Sequence, residues 1–200
     1  VAVLDYGIGN LRSAQKALER VGAEAALTAD AAIVEAADGV VLPGVGAFGR
    51  CMEALRETGL DRLARGTIDA GRPFLGICVG MQLLYEWSEE DPHEKGVGVL
   101  PGAVRRLPEG VKRPQMQWNR LDRQAPSPMF DGLDDPVWVY FVHSYAPEPG
   151  PEVVATCDYG GPVVAAVQRG RLWATQFHPE KSGVAGLRIL ANFVGSLPGR

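Results

Sequence analysis

Apolar residues along this chain follow two rhythms. Val1 to Asp5 is a short, nearly continuous apolar run of the kind that buried strands show, and Leu11, Ala14, Leu18 and Val21 then recur at helical spacing. The two together predict a βα unit. Further strands are predicted at Ala25 to Thr28, Gly39 to Leu42 and Pro73 to Ile77, with helical segments between Phe48 and Ala70. Alternation of this kind implies an α/β fold, with a mostly parallel central sheet and helices on both of its faces.

The second half changes rhythm. Ala103 to Leu107, Val137 to Val142, Val153 to Cys157, Val163 to Gln168 and Leu172 to Gln176 read as strands joined by Pro and Gly turns, and they are expected to add antiparallel pairing. A closing helix from Gly183 to Leu197 carries Leu187, Leu190, Ala191 and Val194 on one face, which should pack back on the sheet. No internal repeat or low-complexity linker interrupts the pattern, so residues 1–200 are read as a single domain.

Composition narrows the function. Charged residues make up 22% of the 200 and the net charge is −4, with Lys and Arg spread thinly, so there is no basic footprint for nucleic acid and no polybasic membrane patch. No apolar run approaches the roughly 20 residues of a membrane span, and the opening VAVLDYGIGN reads as strand and loop, not as a charged leader. A cytoplasmic protein acting on small molecules, or with another protein, is expected. Cys51, Cys78 and Cys157 are odd in number and widely spaced, which argues against a disulfide framework or a zinc site. No metal and no cofactor is expected.

One cysteine has a distinctive setting. Phe74, Leu75 and Ile77 lead through Gly76 to Cys78, Val79 and Gly80, and Met81, Leu83, Leu84 and Tyr85 then suit a helix. Strand, glycine, cysteine, glycine and helix have the form of a nucleophile elbow with cysteine in the serine place. The flanking glycines leave room for the strained turn, and a helix N-terminus favours a thiolate, so an exposed and acidic sulfur is expected. Cys51, inside a helical stretch, and Cys157, at a strand end, lack such a setting and are assigned to packing.

A cysteine nucleophile needs a base, and only three histidines exist. His93 lies in the charged stretch EEDPHEKG and is expected to be solvated. His143 offers no metal-ligand spacing with the others. His178 stands in Gln176, Phe177, His178, Pro179, Glu180, where an extended backbone turns residues two apart to the same side. Glu180 can then accept from one imidazole nitrogen and leave the other to take the thiol proton. For the oxyanion, one amide donor can come from Val79 and a second from the loop Pro43, Gly44, Val45, Gly46; each such donor is worth about 3 kcal/mol of barrier. Both loops fall at the carboxyl ends of parallel strands, where open α/β sheets bind ligands.

GICVGMQLL at Gly76 to Leu84 and TQFHPEKS at Thr175 to Ser182 resemble the two active-site signatures of class I glutamine amidotransferases, and nearly the whole chain takes part in the resemblance. Within that family, DYGIGNLRS, PGVGAFG, YFVHSY and the lysine of HPEKS resemble the glutaminase subunits of imidazole glycerol phosphate synthases. The resemblance implies a flavodoxin-like amidotransferase fold, glutamine as substrate and a glutamyl thioester on Cys78, with His178 and Glu180 completing a triad. It further implies that Gln82 and Glu90, with backbone around Gly46, His143, Ser144 and Tyr145, hold the substrate. The ammonia would pass to a (β/α)8-barrel cyclase subunit, as a heterodimer. There it would react with a phosphoribosyl aminoimidazole carboxamide intermediate of histidine biosynthesis, and Asn10, Met116, Trp118, Asn119, Tyr140 and Lys181 would lie near the docking face.

The chain departs from that pattern at one place. Pro114, Gln115, Met116, Gln117, Trp118, Asn119 stands where a proline, histidine, apolar, glycine, tryptophan, asparagine run is expected, so glutamine replaces both histidine and glycine. A stand-alone cysteine hydrolase, such as a γ-glutamyl hydrolase or a peptidase, would use the same triad, but it gives no reason for Lys181 or for the opening motif. A non-catalytic binding module would not need Cys78, His178 and Glu180 together.

Overall fold

The computed structural model describes residues 1–199. β1 (Ala2–Leu4) is wholly buried, and α1 (Leu11–Arg20) turns Leu11, Ala14, Ala17 and Leu18 inward. β2 (Ala26–Thr28) leads into α2 (Ala31–Ala36), a short helix that no apolar stripe announces. Its N-terminus is capped by the Asp30 carboxylate, which accepts from the Ala32 and Ile33 amides. β3 (Val40–Gly44) is followed by α3 (Phe48–Glu57) and α4 (Leu60–Asp69). The helical stretch between Phe48 and Ala70 is thus broken at Gly59, whose φ of 71° suits glycine.

β4 (Phe74–Cys78) runs straight into α5 (Val79–Gln82). The expected helix through Tyr85 is therefore cut to a single turn. Its continuation is pre-empted by other donors: the carbonyls of Leu83, Leu84 and Tyr85 accept from Val97, Val99 and Gly98. That strap leads into β5 (Trp87–Ser88), β6 (Asp91–Lys95) and β7 (Ala103–Arg106). Then come β8 (Gln115–Arg120), β9 (Asp122–Arg123), β10 (Trp138–His143), β11 (Tyr145–Pro147), β12 (Val153–Asp158), β13 (Pro162–Arg169) and β14 (Leu172–Thr175). A 3-10 turn at Pro179–Lys181 precedes the closing helix α6 (Gly183–Gly195).

The main sheet has the order β2-β1-β3-β4-β14-β13-β12-β9. Pairing is parallel from β2 to β14 and antiparallel beyond it. This is the mixed α/β sheet that the change of rhythm implies. β8 and β10 form a separate antiparallel ribbon, and β11-β7-β5-β6 a smaller sheet.

Register places the chemistry. Gly44 at the end of β3 pairs with Cys78 at the end of β4, and Thr175 at the end of β14 pairs with Ile77. The glycine loop, the elbow and the histidine loop therefore leave the sheet side by side at their carboxyl ends. Beneath them Phe74, Phe177 and Phe193 are fully buried, each side chain contributing roughly 2 to 3 kcal/mol of burial free energy. Phe177 meets Phe141 of the ribbon edge to face at 5.8 Å, which fixes the ribbon against the histidine loop. Among the described residues no helix is long and apolar enough to cross a membrane.

Candidate active site

Cys78 has φ 56° and ψ −112°, and it is the one non-glycine residue with positive φ among the described residues. Such a conformation costs about 1 to 3 kcal/mol and persists only where surrounding packing enforces it. The enforcement comes from close backbone approach. A Cβ on Gly80 would lie 1.9 Å from the Leu42 carbonyl oxygen, and one on Gly44 would lie 2.7 Å from the Gly80 nitrogen. Only glycine lets the elbow and the β3 loop close on each other.

The sulfur is not exposed, contrary to what the elbow pattern predicts. Cys78 is 2% accessible and lies in the wall of a cavity of about 230 Å³. A one-turn α5 also supplies little helix dipole, so the sulfur's polarity must come from side chains around it. Gln176 Nε2 lies 3.7 Å from Sγ, and the Val142 carbonyl oxygen lies 3.8 Å from it.

His178 and Glu180 meet as their spacing implies. Nδ1 lies 2.7 Å from Glu180 Oε1, with both side chains almost wholly buried. The carboxylate fixes the proton on Nδ1. Nε2 bonds to no protein group, and His178 lines the cavity beside Cys78, so Nε2 is the nitrogen left for proton transfer. Burial pushes the imidazole down. The nearby Cys78 sulfur and the bond and charge of Glu180 outweigh that burial, and the pKa ends at about 9.

The same cavity gathers Val45, Gly46, Val79, Gln82, Glu90, His143, Ser144 and Tyr145, residues expected at the oxyanion or substrate positions. Gln82 donates from Nε2 to the Tyr145 carbonyl at 2.9 Å and to Gln176 Oε1 at 3.0 Å, which leaves its own oxygen as an acceptor. Glu90 is not simply a solvated charge. It is half-buried and accepts from the Phe48 amide at 2.8 Å, across the start of α3.

His143 explains the unexpected glutamine. Its Nδ1 lies 2.8 Å from the Tyr145 carbonyl, an acceptor only, so Nδ1 carries a proton. Burial, only partly offset by that bond and reinforced by His178, lowers the ring to about 4 and keeps it neutral. Nε2 then needs a donor. Gln115 is fully buried, with its side-chain Oε1 placed 2.9 Å from His143 Nε2 and its Nε2 placed 3.9 Å from Cys157 Sγ. Turning that amide over, so that its NH2 faces His143 and its oxygen faces the Cys157 thiol, satisfies all three groups. Gln115 therefore faces inward, away from any docking surface.

Of the residues expected at a docking face, Met116, Trp118 and Tyr140 share the outer face of the ribbon. Met116 and Trp118 are exposed, and Trp118 meets Tyr140 edge to face at 6.1 Å. Asn119 alternates to the opposite face and donates to the Asp158 carbonyl at 2.9 Å. Lys181 is exposed just before α6, and Asn10 is exposed ahead of α1, where it accepts from Ser13 Oγ at 2.8 Å. His93 is exposed on β6. A wider, more open hollow of about 880 Å³ lies at the amino ends of β1 and β2, lined by Ala23, Ala26, Ala36 and Leu197, and it holds no nucleophile and base.

A family model for class I glutamine amidotransferases matches residues 2–196. The chain belongs to that family. This amidotransferase is 51% identical to the imidazole glycerol phosphate synthase subunit HisH of Syntrophotalea carbinolica, over 96% of this chain and 98% of that protein. It is 50% identical to the HisH subunit of Methanothermobacter thermautotrophicus, over 97% of each chain. Among solved structures, a glutamine amidotransferase superposes with a TM-score of 0.77 at 24% identity, covering 98% of this chain and 99% of that one. PurLQS from Thermotoga maritima gives 0.74 at 20% identity, covering 97% and 96%. These two show a shared fold.

Several polar groups of the amidotransferase site escape pattern reading. Ser182 is buried; its hydroxyl accepts from the Tyr140 amide at 2.9 Å and donates to the His178 carbonyl at 2.6 Å, tying the ribbon to the histidine loop. Tyr6 donates to the Pro43 carbonyl at 2.7 Å and Cys51 to the Val45 carbonyl at 3.4 Å, anchoring the glycine loop from behind. Cys51 thus does more than pack. A hydroxyl or thiol that bonds to a distant carbonyl leaves no trace in spacing, although an apolar-flanked Ser or Tyr beside a motif is a weak cue.

Proposed function

We propose that this chain is the glutaminase subunit of an imidazole glycerol phosphate synthase, reading residues 1–200 as one cytoplasmic domain. The observation that carries this reading is the 230 Å³ cavity, which sets Cys78 and His178 beside Gln82, Glu90 and His143 to Tyr145 in a chain half identical to such subunits. A volume just below the roughly 300 Å³ of small drug-sized sites suits a single amino acid as substrate.

The chemistry follows from the geometry. The Cys78 sulfur attacks the side-chain amide carbon of glutamine; a C–S bond forms and the carbonyl electrons move to oxygen. Backbone amides of Val79 and of the loop at Gly44 and Val45 stabilise that oxyanion. Collapse breaks the C–N bond, and the nitrogen leaves as ammonia with a proton from His178 Nε2. Water, deprotonated by the same nitrogen, attacks the thioester; the C–S bond breaks, and glutamate leaves. Glu180 holds the imidazole throughout. Gln82 Oε1 and the Glu90 carboxylate accept from the substrate ammonium, while backbone near Gly46 and His143 to Tyr145 meets its carboxylate.

Ammonia is mostly protonated in water, so a protected path matters. The partner is a (β/α)8-barrel cyclase subunit seated on Met116, Trp118, Tyr140, Lys181 and Asn10, with Asn119 shaping the ribbon behind them. The test is a coupled assay with the barrel subunit and its nucleotide substrate. Glutamine-dependent product formation is expected to vanish in Cys78→Ala while ammonia-dependent formation persists. Loss of both, or of neither, would overturn the reading.

A further inference from the structure

Gln176 lies two residues before the base and is fully buried, at the mouth of β14 beside the elbow. Its backbone amide is spoken for by Ala165. Its side chain closes a chain of amides: the Tyr145 carbonyl accepts from Gln82 Nε2, Gln82 Nε2 donates to Gln176 Oε1, and Gln176 Nε2 reaches Cys78 Sγ at 3.7 Å.

The sense of this chain is forced from its far end. A backbone carbonyl can only accept, so Gln82 must turn its NH2 toward Tyr145. The second proton of that NH2 needs an acceptor, which makes the near end of Gln176 its oxygen. The remaining NH2 of Gln176 therefore faces the sulfur, and no rotation of either amide preserves all the bonds. The sulfur thus has a fixed donor on one side. The Val142 carbonyl, 3.8 Å away, can receive the proton of a thiol but gives nothing to a thiolate.

We propose that Gln176 is a further catalytic residue: its side-chain NH2 donates to the Cys78 sulfur and holds it as the thiolate before attack, with Gln82 and Tyr145 fixing the amide's direction. This rests on Cys78 being the nucleophile. Hydrogen bonds to an ionised partner are the stronger ones, so the donor favours the charged form. The other titratable groups around the sulfur are His178 with Glu180 behind it, Tyr6 and Cys51 behind the glycine loop, and Glu90, His143 and Tyr145 lining the cavity. Of these, His178 is the other group able to donate a proton toward the sulfur, through Nε2.

The experiment is the rate of iodoacetamide alkylation at Cys78 against pH in the full chain, read by peptide mass spectrometry. Cys51 and Cys157 are buried with thiols pushed up to about 11 and about 12 by that burial, so Cys78 is read separately. In Gln176→Leu the neutral-pH rate is expected to fall about tenfold and to rejoin the wild-type rate at high pH, where the thiol is ionised in both. A rate unchanged at every pH, or lowered equally at every pH, overturns the proposal. Gln82→Leu guards against a folding defect at Gln176. It leaves Gln176 in place but unfixed, and a two- to threefold fall at neutral pH alone is expected; no fall counts against the amide chain. Alkylation needs no glutamine, so failure here is distinct from failure of the nucleophile reading, which would show as glutamine hydrolysis persisting in Cys78→Ala.

Discussion

Acid should destabilise this protein through His143, by an amount the structure fixes. The ring is buried, donates Nδ1–H to the Tyr145 carbonyl and stays neutral, with its pKa lowered from 6.5 to about 4. A depressed histidine stabilises the fold above the unfolded value of 6.5, and that stability is lost as pH falls toward 4, because the unfolded chain takes up the proton first. His178, with a folded pKa of about 9, adds stability as pH falls from 7.5 through 6.5, and that gain is shared by the wild type and a His143 variant. At pH 5 the His143 contribution is lost by about 2 kcal/mol relative to pH 7.5. The assay is urea unfolding by tryptophan fluorescence at both pH values, comparing wild type with His143→Asn, whose amide can still donate to Tyr145 but does not titrate. Carboxylates are common to both proteins and cancel in the difference. The wild type should lose about 2 kcal/mol more than the variant between pH 7.5 and 5. Parallel losses, within about 0.5 kcal/mol, would refute the assignment of a neutral buried His143.

Further predictions concern the elbow, the triad and the ribbon. Gly80→Ala would drive a Cβ to within 1.9 Å of the Leu42 carbonyl oxygen, and a loss of about 3 kcal/mol in urea-melt stability is expected. Glu180→Gln should lower kcat for glutamine by about 10³ to 10⁴-fold with KM nearly unchanged, since the carboxylate holding His178 is gone. The raised His178 stabilises fully below pH 6.5 and loses its contribution as pH rises through about 9, so the same variant should flatten that alkaline decline in stability. Gln115→Leu leaves His143 Nε2 without a donor, and a cost of about 1 to 3 kcal/mol is expected in denaturant melts.

Apolar rhythm and glycine placement make the sheet, the elbow and the Cys78, His178, Glu180 constellation legible from the residues alone. They do so because each rests on local geometry: strand length, a turn that only glycine admits, two residues on one side of an extended segment. What stays hidden depends on pairing across the chain. β8, with the sequence QMQWNR, alternates in the inverse sense, with Met116 and Trp118 exposed and Gln115 buried, so apolar rhythm marks no core-facing strand there. The helix after Cys78 stops early because a strap from Gly96 to Leu100 takes its carbonyls. Gln115, which breaks the expected docking motif, is a buried partner of His143. Gln176, Ser182 and Tyr6 act through contacts tens of residues away, which spacing cannot encode.

Glutamate release from glutamine, measured with the purified chain alone and with the barrel cyclase and its nucleotide ligand, tests the central claim most directly, with Cys78→Ala as the blank. Strong stimulation by the loaded partner, absent in the variant, is the expected result. Hydrolysis that the partner leaves unchanged, or that survives loss of the Cys78 sulfur, would contradict it.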